Sequence, residues 1–347
     1  MITRRALNVG LLSTTTAIAT ACNRNTIGQA YPQGRIEGYA KAFDKLVHPE
    51  AEIRQLASGF KWTEGPSWDR RRGRLYFSDI PNNRIHSWSR SKGLMTFLDV
   101  AGRDDETPDE NAAPGTNGLW YDEEDDGLLI CNQNARSIDR LNMSTQARSA
   151  VVKSFNGKPL NSPNDLVRAT DGTVYFTDPP YGLKDRENFT GMEQRHFGVY
   201  RFTPSGEMSI ISEGFTRPNG IALSPDESTL YVSQSDPKKP IIKAFALNIA
   251  GLPSGERLFA DLSYLMDEKS PGLPDGMAVD ISGNLFAAGP GGVVIFAPDG
   301  TRLGRIFTGR PTANCAFGED GSTLFMTAND TLLSISTRTR GLAWHEA

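Results

Sequence analysis

Apolar residues along this chain come in short runs, each bounded by Asp, Gly, Pro or Ser, and the runs come in pairs. The clearest pair is Ile221-Ala222-Leu223, then Ser224-Pro225-Asp226-Glu227, then Leu230-Tyr231-Val232. Such runs are too short for helices. The stretch between them is a turn by mechanism, because proline fixes φ and Asp bonds its own backbone. The unit reads as strand, turn, strand. It recurs where Glu64 to Asp69 leads into Leu75-Tyr76-Phe77, and Asn117 to Asp122 into Leu128-Leu129-Ile130-Cys131. Asn164 to Asp171 leads into Val174-Tyr175-Phe176, Asp275 to Asp280 into Leu285-Phe286-Ala287-Ala288, and Asn314 to Asp320 into Leu324-Phe325-Met326-Thr327. Third strands follow several copies, as in Arg84 to Trp88, Gly198 to Phe202 and Gly292 to Phe296.

Copies spaced by roughly 40 to 55 residues match a four-stranded propeller blade. The pattern predicts an all-β, six-bladed β-propeller, an arrangement that leaves only short, protected sheet edges. The segment from Ala51 to Ser58 precedes the first copy. It is expected to supply the outer strand that closes the ring against the last blade. Residues 46–347 thus form one propeller domain, with no second domain.

Composition narrows the function. Of 347 residues, 37 are Lys or Arg and 41 are Asp or Glu, a net charge of -4. That balance argues against a nucleic-acid partner. A hydrophobic share of 38% supports a large core. Four His and three Cys rule out a multi-His metal cage and a disulfide scaffold. Cys131 and Cys315 lie in apolar runs and are expected to be separate buried thiols.

The first residues read as an address. Arg4 and Arg5 precede a small-residue apolar stretch from Ala6 to Ala21. Residues 1–22 are therefore expected to be an export signal. Thr3-Arg4-Arg5-Ala6-Leu7 resembles a twin-arginine motif, and Ala19-Thr20-Ala21-Cys22 resembles a lipobox with Cys22 as the lipid-bearing residue. For a bacterial source this implies the periplasm or a membrane-anchored lipoprotein. Any membrane contact would then be through that N-terminal lipid anchor. Residues 23–45 read as a polar tether with little periodicity.

One position in every copy carries a side-chain oxygen: Glu64, Asn117, Asn164, Asn219, Asp275 and Asn314. In a propeller the first strand of each blade lines the central channel, so these six residues form a ring at one mouth. Two carboxylates and four amides suit a hard divalent cation in the channel. Ca²⁺ takes oxygen ligands alone, Mg²⁺ or Mn²⁺ would need a smaller ring, and Zn²⁺ would want His or Cys. The competing explanation is local, since Asn and Asp before a strand often cap turns. It is weakest for Glu64, a poor turn former. Two carboxylates facing one channel would also repel without a cation or a shared proton.

The chain resembles the SMP-30/gluconolactonase/LRE-like family, and within it the bacterial gluconolactonases. The resemblance lies in Thr63-Glu64-Gly65-Pro66, Phe77 to Asn83, Leu160 to Asp165, Tyr175 to Gly182, Arg217-Pro218-Asn219-Gly220, Pro274 to Met277, and Gly289 to Gly292. It covers about residues 50 to 340. It implies a six-bladed propeller with one divalent metal, commonly Ca²⁺, held by Glu64, Asn164, Asn219 and Asp275. Asn117 and Asn314 then become substrate-facing or supporting candidates. Many relatives have a His-containing stretch where this chain reads Cys131 to Arg136, so Gln133 is a departure.

The expected chemistry is hydrolysis of a sugar lactone such as gluconolactone to the aldonic acid. Asp275 is the expected base and Glu64 the runner-up. Tyr181 and His196, in and after Pro179-Pro180-Tyr181, are candidates to contact substrate, and Asp178 is expected near the mouth. The acidic run from Asp104 to Glu110 is expected to be a solvated loop. The lack of a Gly-x-Ser-x-Gly elbow and the scarcity of His argue against a serine nucleophile. The alternatives are another lactonase or phosphotriesterase activity, or a non-catalytic propeller that binds glycan or protein.

Overall fold

Short strands joined by tight turns cannot bury both faces alone, so four-stranded sheets must stack on one another. The computed structural model, which describes residues 28–102 and 113–344, arranges six such sheets as a propeller. Blade one runs Thr63–Asp69, Arg74–Asp79, Arg84–Ser89 and Gly93–Asp99 from the inside outward. The innermost strands of blades two to six are Thr116–Asp122, Leu166–Arg168, Pro218–Leu223, Met277–Val279 and Thr312–Gly318. Every neighbouring pair within a blade is antiparallel.

The ring closes as expected. Arg54–Ser58 is the fourth strand of blade six, pairing Ser58 with Thr331 and Gln55 with Leu333. Residues from one end of the chain and the other thus share one sheet, which seals the propeller non-covalently.

The second strand of each blade is buried on both faces, and this explains its unbroken apolar run. Leu75, Phe77, Leu128, Ile130, Phe176, Val232, Leu285 and Phe325 are all inaccessible. Between blades the packing is aromatic. Trp68 stacks on Phe325 at 5.5 Å, and Phe286 meets Phe317 edge-on at 5.1 Å. Cys131 and Cys315 are unpaired and buried.

The expected tether is a correction from residue 28 onward. Arg35–Gly38 adds a fifth strand to blade five, pairing Ile36 with Ile306. Lys41–Lys45 forms a 3-10 turn that buries Phe43 against Gly304. Few apolar residues were needed, because Phe43 and Leu46 fill a groove that the propeller already provides. The expected export signal and Cys22 lie outside the described residues, as do Asp104 to Glu110.

Candidate functional site

The ring residues sit where the inner strands break their register. The pairing of the first two strands shifts between Glu64 and Ser67, Thr116 and Leu119, Pro218 and Ile221, and Thr312 and Asn314. A bulge of this kind re-aims a side chain. In blades three and five the ring residue instead precedes the strand. There its backbone N–H still bonds the second strand, Asn164 to Thr177 at 2.9 Å and Asp275 to Ala288 at 3.0 Å.

Hydroxyls on the second strands stitch the ring together. Ser78 donates to the carbonyl of Asn117 at 2.7 Å, Thr177 to that of Asn219 at 2.7 Å, and Ser233 to that of Asp275 at 2.9 Å. Each bond reaches the next blade. Glycines after the ring residues permit this closeness: a Cβ on Gly65 would lie 2.3 Å from the Asn117 carbonyl oxygen, and one on Gly220 would lie 2.2 Å from that of Asp275.

Three carboxylates converge here. Glu64 is buried, and burial together with the charge of Asp165 raises its carboxyl to about 8. Its Oε2 accepts the Gly65 N–H at 3.1 Å, and Trp62 and Asn314 lie within hydrogen-bonding reach. Asp275 is held well above the usual carboxylate range by burial, then by Glu64 and Asp165. It keeps part of its surface open, yet its Oδ1 is enclosed with no hydrogen-bond partner. Asp165 is raised to about 7 by burial.

Asn219 donates to Ser235 Oγ at 2.8 Å, which turns its own oxygen away from that contact. Tyr181 sits beside the same pair, with Ser235, Asn219 and Asp275 all influencing its hydroxyl, and burial raises its phenol. Below the ring the inner strands line an apolar cavity of about 540 Å³, with Trp68, Leu119, Trp120, Ile221 and Met277 on its wall.

The structure thus brings Glu64, Asp275, Asn219, Asn314 and Tyr181 together. Asn117 and Asn164 hold the ring positions of blades two and three. His196 is placed elsewhere. Its Nε2 pairs with the Tyr200 hydroxyl at 2.9 Å and its Nδ1 lies 3.6 Å from Glu213, both on the outer half of blade three. Asp178 is fully buried and accepts the Asn161 N–H at 2.7 Å, so it anchors the loop before Asn164. Gln133 is buried against Gly182.

Sequence reasoning missed Asp165, Ser235 and Trp62. A signal existed for the first. Four ring residues are followed by Gly, whereas Asn164 and Asn314 are followed by Asp165 and Cys315. A carboxylate at a position that is Gly in four of the six copies marks a special place.

Among the described residues, no three His, Cys, Asp or Glu side chains are placed to hold a metal ion by themselves. A cation here would lean on amide oxygens too. The residues fit one: the donors are oxygens only, like charges are crowded, and a buried carboxylate oxygen of Asp275 has no partner. Glu64, Asn164, Asn219 and Asp275 could hold it.

Residues 62–330 match the family model described as SMP-30/gluconolactonase/LRE-like region. The chain belongs to the SMP-30/gluconolactonase/LRE-like family. A family member from Zymomonas mobilis, a gluconolactonase, is 39% identical over 333 residues, covering 95% of this chain and 93% of its own. The Xanthomonas campestris gluconolactonase structure superposes with a TM-score of 0.76 at 32% identity, covering 87% of this chain and 94% of that one. A regucalcin from Agrobacterium tumefaciens, described as a calcium-binding protein, shares the fold at TM-score 0.64 and 20% identity, covering 83% and 94%.

Proposed function

We propose that this family member hydrolyses sugar lactones such as gluconolactone, with a divalent cation, Ca²⁺ by preference, held by Glu64, Asn164, Asn219 and Asp275. The observation that carries the cation is the unpartnered Asp275 Oδ1 beside two further buried carboxylates. Such crowding is costly unless positive charge or protons offset it. The gluconolactonases of Zymomonas and Xanthomonas support the choice of substrate. At 20% identity the regucalcin likeness speaks to the fold, so calcium rests on the oxygen donors.

A bound divalent cation would supply Lewis acidity at the lactone carbonyl. Asp275 acts as the base. Its partly open face suits it to take a proton from the attacking water, and a cation beside it would lower the pKa of that water. The water oxygen bonds to the carbonyl carbon, the ring C–O bond breaks, and the proton returns to the departing ring oxygen. The product is the open hydroxy acid. Tyr181 and Asn117 face the sugar hydroxyls, while Ser235 holds Asn219 in place. Export and a lipid on Cys22 complete the reading, and labelling with a radioactive fatty acid tests the latter.

The test is acid release from gluconolactone in a pH-stat, corrected for spontaneous opening. Chelation should abolish the catalysed rate and added Ca²⁺ should restore it. A rate equal to background with Ca²⁺, Mg²⁺ and Mn²⁺ would remove gluconolactone as the substrate.

A further inference from the structure

We propose that Asn314 is a positioning residue that keeps the Asp165 carboxylate out of the cation's ligand set. The inference rests on the cation reading above. Three carboxylates surround the channel, Glu64 and Asp165 buried and Asp275 partly open, but their oxygens are not equally engaged. Asp165 Oδ1 accepts the Leu166 N–H at 3.0 Å, and its Oδ2 accepts Asn314 Nδ2 at 3.3 Å. The Ile221 N–H also reaches it. The Gly276 N–H and Asn219 reach the Asp275 carboxylate, yet its Oδ1 has no partner, and Glu64 accepts the N–H of its own neighbour with Trp62 and Asn314 in reach.

The orientation of Asn314 is set by its surroundings. The Cys315 N–H lies 2.8 Å from one end of the amide. That group can only donate, so the facing atom is Oδ1 and the amine must face Asp165. Glycines clamp both partners. A Cβ on Gly276 would fall 1.9 Å from Asn314 Cγ, and one on Gly118 would fall 2.7 Å from Asp165 Oδ1. The bond joins blade six to blade three, so it spans the channel as a strut.

The consequence is a choice of charge. Two carboxylates balance the charge of a divalent ion, a third would leave the site net negative, and the number of charged ligands tunes affinity. Asp165 then stays beneath the site as a fixed neighbour, saturated by donors that recruitment would have to break.

Terbium luminescence lifetimes in H₂O and D₂O test this, because they count waters on a bound Tb³⁺ independently of turnover. The full chain is loaded with Tb³⁺ after chelation. In Asp165→Ala the count should equal that of the wild type, whereas Asp275→Ala should gain about one water. In Asn314→Ala the released Asp165 should displace about one water, and adding Asp165→Ala should reverse it. A water gained in Asp165→Ala as in Asp275→Ala would make Asp165 a ligand and overturn the inference. An unchanged count in folded Asn314→Ala would overturn it as well. If Asn314→Ala does not fold, Asp165→Ala alone decides. Absence of any bound terbium in the wild type would instead overturn the cation reading, and this inference with it.

Discussion

Ser235 Oγ accepts a hydrogen bond from Asn219 Nδ2 at 2.8 Å and donates one to the Pro274 carbonyl. One hydroxyl thus orients a ring amide and ties it to the peptide that carries Asp275. Supporting partners of this kind are worth about 10- to 100-fold in metal affinity or activity. Ser235→Ala should lower kcat/KM by about tenfold or more and weaken Ca²⁺ binding in calorimetry, with the melting temperature little changed. Unaltered kinetics would show that Asn219 needs no such support.

Asp275→Asn separates charge from shape. Losing a general base typically costs about 10²- to 10⁴-fold in rate. The chelated protein should nevertheless melt higher, because one of three mutually repelling buried carboxylates is gone. Thermal scans with chelator check the second half. A lower melting temperature would mean that the carboxylates do not repel in the folded state.

The metal-free protein should lose stability as pH rises. Glu64 is raised to about 8 and Asp165 to about 7. The folded chain therefore keeps protons that the unfolded chain has released, from about pH 4.5 upward. Stability falls across that window up to about pH 8. Added Ca²⁺ should stabilise most at the alkaline end. Melting temperatures at three pH values, with and without Ca²⁺, give the slope. A flat or rising slope in chelator would contradict the raised values.

Gly276→Ala should damage the site more than its size suggests. The new methyl would overlap the Asn314 amide, 1.9 Å from its Cγ and 2.1 Å from its Nδ2. Overpacking of this kind costs about 1–3 kcal/mol. Gly214→Ala is the control, since its nearest neighbour would be 3.5 Å away. Denaturant melts should separate the two. Equal midpoints would show that the ring can breathe around Asn314.

Much of this was legible in the chain. The period of paired apolar runs carries the blade count, because each blade needs two buried strands and a turn between them. The oxygen at Glu64, Asn117, Asn164, Asn219, Asp275 and Asn314 could be read from its fixed place in that period. Asp165 was obscured because Asp after Asn looks like turn chemistry. Ser235 and Trp62 were hidden because their partners are far along the chain or simply packed beside them. Phe43 lies in a polar stretch, and only the groove beside Gly304 shows where it docks.

Local patterning therefore determined the strands, the sixfold repeat and which residue types face the channel, since each depends on alternation and turn chemistry within one blade. The tertiary structure alone decided which oxygens are engaged. It saturates Asp165 through Asn314, leaves Asp275 Oδ1 without a partner, and sends His196 to Tyr200. Those outcomes depend on closing the ring, which brings blade three within hydrogen-bond reach of blade six, and no local run of sequence contains that distance.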